Sequence, residues 1–305
     1  MSDSKTKLVV CAVDFSEGSE AAIVQAADIA ERLHCDLHLI HSDPVFHSEF
    51  GHIDRETSLE QVLSDRVREF AVSAWGSEDA YDVIKPTVVI KLGAYAGDAI
   101  VDYANKVGAW MTVIGTHGRR GVRRFIIGSV AEAVTRRSDC PVLTVPNSAS
   151  HVRPGPEVPI VVPTDFSEHS RAALVLAEEI ATWYDAPIHL IHVLEDFSVL
   201  PGFYLEGGLV PVYNLPTLVE YAKDHLKEFG IDTGEGRIAE SYVSSGHAHL
   251  KISEYAEEIG AGCIVMATHG RTGVKHALIG SVTERTLRYA PCPVLSVRAA
   301  VEDEA

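Results

Sequence analysis

Two short glycine-rich stretches carry the strongest chemical signal in this sequence. The first is Gly115-Thr116-His117-Gly118, nine residues, then Gly128-Ser129; the second is Ala267-Thr268-His269-Gly270, nine residues, then Gly280-Ser281. Glycine lets backbone N–H groups approach an anion with no Cβ in the way. Ser129 and Ser281 each open a helical pattern, and a helix start offers unpaired N–H groups at the positive end of its dipole. This chemistry suits the cradling of a phosphate. A second reading needs no ligand: Ser129-Val130-Ala131-Glu132 and Ser281-Val282-Thr283-Glu284 both fit S-x-x-E, a capping box. It accounts for the serine and the glutamate but not for the paired glycines upstream. Arg119, Arg120, Arg123 and Arg124, with Arg271 and Lys275 in the second stretch, cluster within the nine-residue loops. They read either as neutralising a polyphosphate or as a solvated loop.

Asp14 and Asp165 each close an apolar run. A carboxylate there can accept hydrogen bonds from a ribose hydroxyl pair, or it can open the next helix, since Asp-Phe-Ser-Glu supplies capping residues. Of the 15 histidines, His38, His41, His189 and His192 fall in apolar runs and suit hydrogen-bonded strand roles. His117 and His269 sit inside the glycine stretches and either touch phosphate or orient the loop. His247-Ala248-His249 and His34 with His38 give no closed four-ligand set, so no metal site is expected.

The elements that must position these groups occur twice. Val13-Asp14-Phe15-Ser16-Glu17 returns as Thr164-Asp165-Phe166-Ser167-Glu168, and His38-Leu39-Ile40-His41 as His189-Leu190-Ile191-His192, both 151 residues later. Thr116 to Val130 aligns with Thr268 to Val282 at an offset of 152, identical at 10 of 15 positions. Cys140-Pro141-Val142-Leu143 returns as Cys292-Pro293-Val294-Leu295. Ser, Pro and Gly cluster between Asn147 and Pro159. The expected division is therefore a domain over 1–147, a linker over 148–158 and a second domain over 159–305.

In the first copy the apolar runs Leu8–Asp14, Asp36–His41, Ile84–Lys91, Trp110–Gly115 and Val142–Val145 read as buried strands of a parallel sheet. Helical patterns lie between them at Ser19–Leu33, Ser58–Ala74, Ala96–Val107 and Val130–Arg137. The second copy repeats this, with strands near Ile160–Asp165, Pro187–Val193, Arg237–Val243, Cys263–Ala267 and Val294–Val297. Such alternation predicts an α/β fold of two tandem doubly wound, Rossmann-like domains. Ligands of such sheets bind beyond the carboxyl ends of the strands, where the candidate residues fall. The last strands, Pro141–Val145 and Pro293–Val297, either pair with each other as an intramolecular pseudo-dimer or leave edges for a homodimer.

The pattern G-x-x-G, nine residues, G-[ST], with an Asp after the first strand, resembles that of the universal stress protein family over nearly the whole chain. The resemblance implies five-stranded parallel sheets of order 3-2-1-4-5 and, in one branch of the family, bound ATP, with or without Mg²⁺. It further implies that Asp14 and Asp165 hold ribose. Gly115, Gly118, Gly128 and Ser129 would wrap the phosphates in the first copy, with His117, Arg119 and Val130 beside them. Gly270, Gly280 and Ser281 correspond in the second, with His269, Arg271 and Val282. The adenine would lie near Ser42 or Val193 and against Ala12-Val13 or Pro163-Thr164. Two departures stand out. Ala267 replaces the first glycine, where a methyl would either crowd a phosphate or be harmless; Ser42 replaces an apolar residue at the adenine wall. The first copy thus suits the phosphate end better and the second the base end.

The remaining features exclude more than they assign. The 305 residues carry 26 Lys+Arg against 43 Asp+Glu, a formal net charge of −17, which argues against nucleic-acid or anionic-membrane partners. The N-terminus turns acidic too early for a signal peptide, no run approaches the ~18 apolar residues of a membrane span, and five scattered cysteines with no C-x-x-C suit a reduced cytoplasm. No P-loop and no G-x-S-x-G elbow occurs; Gly234-x-Gly236-x-x-Ala239 precedes a strand, so it is no dinucleotide fingerprint. An ATP-binding stress-response module is the expected function, with at most slow hydrolysis or self-phosphorylation. The alternative is a nucleotide-free interaction protein or carrier of a lipid or other small molecule under the Gly-, Pro- and aromatic-rich stretch Phe197–Pro216, whose counterpart in the first copy is His47–Thr57.

Overall fold

Leu8–Val13 (β1) is buried from Val9 onward on both alternating faces, as a strand covered by helices on each side must be. The same pattern sets the layout of the chain. A computed structural model describes residues 7–43, 58–93, 95–116, 127–195, 204–205, 208–209, 215–231, 236–270 and 279–298. The first half continues with α1 (Glu17–Leu33), β2 (Asp36–Asp43), α2 (Leu59–Trp75), α3 (Glu78–Ile84), β3 (Thr87–Leu92), α4 (Ala96–Val107), β4 (Met111–Gly115), α5 (Ser129–Arg137) and β5 (Val142–Val145). The second half runs β6 (Ile160–Pro163), α6 (Glu168–Tyr184), β7 (Ile188–Leu194), the small hairpin β8 (Tyr204–Leu205) and β9 (Gly208–Leu209), α7 (Leu215–Ile231), β10 (Ile238–Ser245), α8 (Ala248–Glu258), β11 (Cys263–Ala267), α9 (Ser281–Tyr289) and β12 (Val294–Val297).

Each half is a parallel sheet of the order implied by the resemblance: β3-β2-β1-β4-β5 in the first and β10-β7-β6-β11-β12 in the second. The two join edge to edge. β5 and β12 pair antiparallel, Leu143 opposite Leu295, so among the described residues ten strands form one sheet. Of the two arrangements open to the last strands, the chain uses the intramolecular one. The polar side chains in this seam are satisfied: Thr144 Oγ1 donates to the Val294 carbonyl at 3.0 Å and Ser296 Oγ to that of Val142 at 3.1 Å. Buried side chains form two layers, one on each face of the sheet, and both layers draw on both halves.

The third strand differs from its expectation. It starts at Thr87 rather than Ile84, because Glu78–Ile84 forms α3. The Ser77 side chain caps that helix, accepting from Ala80 N at 3.2 Å; Glu78 and Asp79 suit its first turn, and the Tyr81 ring lies 5.8 Å from that of Trp75. Lys85, held left-handed at φ 47°, ends it before Pro86.

The stretch between the halves is tied down. It makes a short 3₁₀ turn at Asn147–Ala149, and buried Gln25 on α1 directs its Nε2 at the carbonyls of Ala149, Ser150 and Val152, at 2.9, 3.1 and 2.8 Å. Gly262 admits the chain at Arg153 and Pro154: a Cβ there would lie 2.4 Å from both the Arg153 carbonyl carbon and the Pro154 nitrogen. Asp28 of α1 accepts from Tyr184 Oη of α6 at 2.6 Å and Arg32 Nε at 3.1 Å, and pairs with Arg153. Its equivalent 151 residues on, Glu179, reaches back to Lys7, which lies over Trp110 and Trp183. The same carboxylate position thus bridges the halves in both directions.

Candidate functional site

The carboxyl ends of the two central strands carry matching turns. β1 ends at Val13, and Asp14 follows; its Oδ1 accepts from Ser16 N at 3.1 Å and from Ser16 Oγ at 2.5 Å. Asp165 does the same with Ser167, at 3.1 and 2.5 Å. The helices are capped by these serines rather than by the aspartates. Ser16 Oγ accepts from Ser19 N and Ser167 Oγ from Ser170 N, each at 3.2 Å. Both carboxylates are therefore held in place outside the helix, half-buried at the strand end.

The residue between them is strained in both copies. Phe15 and Phe166 have φ of 62° and 65°, a left-handed conformation that costs a side-chain-bearing residue about 1–2 kcal/mol. Ring packing offsets that cost. Phe15 lies 4.6 Å from His41 with Arg66 over it at 4.4 Å, while Phe166 lies 4.4 Å from His192 and 5.8 Å from His225. The two histidines also fix the strand ends: His41 Nδ1 donates to the Val13 carbonyl at 2.7 Å and His192 Nδ1 to that of Thr164 at 2.8 Å. One rung lower, His38 and His189 are hydrogen-bonded to the hydroxyls of Tyr103 and Tyr255. Burial lowers the pKa of both, against the opposing pull of Asp36 and Glu240.

The glycine stretches close on the next strand. Gly128 N–H donates to the Thr116 carbonyl and Gly280 N–H to that of Thr268, each at 2.7 Å, which ties the start of α5 to the end of β4 and the start of α9 to the end of β11. The capping-box reading fails at this point. Ser129 and Ser281 are the first residues of α5 and α9, not their caps; Gly128 and Gly280 hold the cap position, and neither helix has a side-chain cap. Their first-turn N–H groups thus lack the side-chain acceptor that the box would supply. In the second copy Gly270 lies against the strand-end carboxylate: a Cβ there would sit 2.6 Å from Asp165 Oδ2. Thr268 Oγ1 and His269 Nδ1 are hydrogen-bonded at 2.9 Å, and Thr283 Oγ1 ties α9 to the Ala267 carbonyl at 2.8 Å.

Gly115 has a different reason to be glycine. A Cβ there would meet the backbone of Gly18, on the first turn of α1, at 2.3–2.8 Å. Its missing side chain is accounted for by helix packing. The second copy has His169 and Ala267 at these two positions.

The site residues fall as follows. In the second copy Pro163 is the last residue of β6 with Thr164 and Asp165 after it, Val193 lies on β7, Ala267 ends β11 with His269 and Gly270 just beyond, and Gly280, Ser281 and Val282 stand at the start of α9. In the first, Ala12, Val13 and Asp14 meet Ser42 of β2, Gly115 of β4 and Gly128, Ser129 and Val130 at α5. His117, Gly118, Arg119 and Arg271 lie outside the described residues, as do Arg120, Arg123, Arg124 and Lys275 and most of Phe197–Pro216. Ser16, Ser167, Phe15 and Phe166 escape sequence reasoning as functional residues, although the repeated Asp-Phe-Ser contained them. Among the described residues no group of three metal-binding side chains occurs, and no helix is long and apolar enough to cross a membrane. A cavity at the junction of the halves, lined by Met111, Leu143, Trp183 and Cys263 among others, measures about 30 Å³, space for about one water and far below the ~300 Å³ of a small-molecule site.

The comparisons with known proteins bear on the family and the fold. A family model described as universal stress protein family matches residues 5–146 and again 159–298. A universal stress protein of Mycobacterium tuberculosis is 28% identical over 301 residues, covering 95% of this chain and 96% of its own. Another from Methanocaldococcus jannaschii is 36% identical over 146 residues, 46% of this chain and 81% of its own. Among solved structures, a universal stress protein from Archaeoglobus fulgidus superposes with a TM-score of 0.66 at 19% identity, covering 96% of this chain and 99% of that one, which shows the fold.

Proposed function

The chain belongs to the universal stress protein family, and from that premise we propose that it binds ATP at the carboxyl ends of its two half-sheets, as a nucleotide-dependent module of a stress response in the cytoplasm. One observation carries the reading: the approach of Gly270 to Asp165, with Gly280 closing the loop on Thr268. It brings a carboxylate suited to ribose hydroxyls and the start of an anion cradle into one crevice, and a Cβ at Gly270 would fill it. In this reading Asp14 and Asp165 accept from ribose, and the N–H groups of Ser129 and Val130, or Ser281 and Val282, receive phosphate oxygens. Adenine lies against Ala12-Val13 and Ser42, or Pro163-Thr164 and Val193. Bound Mg²⁺ would neutralise part of the phosphate charge within a chain of net charge −17. The functional units are 1–147 and 159–305, joined by 148–158.

In this reading the cleft positions and holds its nucleotide. Turnover of ATP, or self-phosphorylation, is expected below ~1 s⁻¹, the lower end of typical enzymes. Equilibrium dialysis against ATP and Mg²⁺ tests the binding. Saturable uptake by the wild type, with one class of site lost in Gly270→Val, supports the reading; no uptake at millimolar ATP overturns it. The carrier alternative places its ligand under Phe197–Pro216, most of which lies outside the described residues.

A further inference from the structure

The two Asp-Phe-Ser turns agree in their heavy-atom distances but not in how their hydrogens are shared. In the first half the Ser16 N–H is divided: Asp14 Oδ1 and Ser19 Oγ both accept it, each at 3.1 Å, the second as part of a capping box. Ser19 Oγ in turn donates to the Ser16 carbonyl at 3.0 Å. In the second half Ser170 stands where Ser19 does, and its Oγ likewise donates to the Ser167 carbonyl, at 2.8 Å. Its acceptor side meets a different group. Thr164 Oγ1 lies 2.9 Å from Ser170 Oγ, and because the Ser170 proton already goes to the Ser167 carbonyl, the threonine is the donor of this bond. Drawn off in this way, Ser170 leaves the Ser167 N–H to Asp165 Oδ1, at 3.1 Å.

The same threonine oxygen accepts from Phe166 N at 2.9 Å. Phe166 is the left-handed residue of the turn, at φ 65°. Thr164 itself is buried and pinned to the sheet: its N–H donates to the Ile191 carbonyl at 2.9 Å, and its own carbonyl accepts from His192 Nδ1 at 2.8 Å, both partners on β7. Its hydroxyl therefore carries the position of the sheet into the turn that holds Asp165. The counterpart of Thr164 is Val13, a side chain of the same shape without the hydroxyl.

We infer that Thr164 is a positioning residue for Asp165, and that it makes the second cleft discriminate an intact ribose diol more sharply than the first. This rests on the nucleotide-binding reading above. The carboxylate rewards two hydroxyls only where its oxygens are fixed before the ligand arrives, and Thr164 fixes them twice: it braces Phe166, and it frees the whole Ser167 N–H for Asp165.

Photolabelling the full chain with 8-azido-ATP, followed by peptide mapping, reads the two halves separately. The label on each half is displaced with ATP and, in parallel, with 2′,3′-dideoxy-ATP, which lacks both hydroxyls. In the wild type, the ratio of dideoxy-ATP to ATP needed for half-displacement is expected to be about five-fold larger on second-half peptides than on first-half ones, the worth of one hydrogen bond. Thr164→Val, the residue the first half carries, should bring the second-half ratio down to the first-half value; Thr164→Ser, which keeps the hydroxyl, should preserve it; Val13→Thr should raise the first-half ratio. A mere contact of Thr164 with the base would weaken both competitors alike and leave the ratio where it was. Equal ratios in the wild-type halves, or an unmoved second-half ratio in Thr164→Val, overturn the inference while nucleotide binding stands. Should that variant fail to fold, an unmoved first-half ratio in Val13→Thr decides against it. Absence of ATP-displaceable label on the second half overturns the binding reading there, and this inference with it.

Discussion

Replacing Gly115 by alanine puts a methyl group where the backbone of Gly18 already is. The new Cβ would lie 2.3 Å from the Gly18 carbonyl carbon, 2.4 Å from its oxygen and 2.8 Å from its Cα. Carbon atoms rest about 3.5–4.0 Å apart, so α1 and β4 must separate by more than ~1 Å. No side chain can rotate out of the way, because every atom met is backbone. α1 sits on the sheet through Ala21, Ala22, Ile23 and Ala26, all almost fully buried, so lifting it opens the packing along several turns. Overpacking a dense core costs about 1–3 kcal/mol and occasionally more; a backbone-on-backbone collision belongs at the upper end, about 3 kcal/mol. At ~2–4 °C per kcal/mol for a domain of this size, the melting temperature should fall by about 6–12 °C. Ala267→Gly, the reverse change in the other half, only deletes a methyl and should cost about 1 kcal/mol. Calorimetric melts of both variants decide the matter. If Gly115→Ala melts within about 2 °C of the wild type, the close approach is not what keeps this position free of a side chain, and Gly115 returns to the phosphate loop.

Further expectations follow from the seam, the caps and the histidines. Asp28→Ala removes the acceptor shared by Tyr184, Arg32 and Arg153 and should cost about 2–3 kcal/mol in urea unfolding, since the arginines are partly solvated; Tyr184→Phe should cost less, about 1–2 kcal/mol. Equal losses in the two variants would mean that the ion pairs contribute nothing. Ser16→Ala and Ser167→Ala each delete an N-cap worth about 1 kcal/mol and release the aspartate that the serine holds, so nucleotide affinity should fall along with stability. A stability loss with unchanged dialysis would detach the cap from the site. His38 and His189 have folded pKa values lowered mainly by burial. The unfolded chain therefore takes up protons first, so their contribution is complete above the ordinary histidine pKa of about 6.5 and is lost as pH falls through it. Urea midpoints should drop between pH 7.5 and 5.5, less so in a His38→Gln, His189→Gln double variant; parallel slopes would refute this.

How far the sequence could be read depended on the range of the interaction. Helix α4 and strand β5 lie within their expected bounds, because hydrophobic periodicity and buried β-branched runs are local signals. The strand order followed from family likeness, since periodicity alone does not say which strands are neighbours. α3 was hidden because Ile84 ends it and looks like the start of an apolar run; the cap at Ser77 was the missed cue. The capping boxes at Ser129 and Ser281 were false because the glycine before each serine takes the cap position, a choice set by the bond from its N–H back to the preceding strand. Gly115 could not be told from a phosphate glycine, because its partner, Gly18, lies nearly a hundred residues away. Comparing the halves was the available signal: two positions that change together between copies of one domain are candidates for contact.

The antiparallel join of β5 to β12 has a consequence for how such a molecule can diverge. Where two identical subunits meet across a twofold axis, any change at one crevice is made at its mate as well. Here each crevice is spelled by its own stretch of gene, while the covalent tether keeps the pair together at any dilution. Proline can stand at 163 while alanine stays at 12, and histidine at 169 while glycine stays at 18. Every copy of the protein thus presents one crevice of each kind, a fixed one-to-one mixture that no concentration change can unbalance.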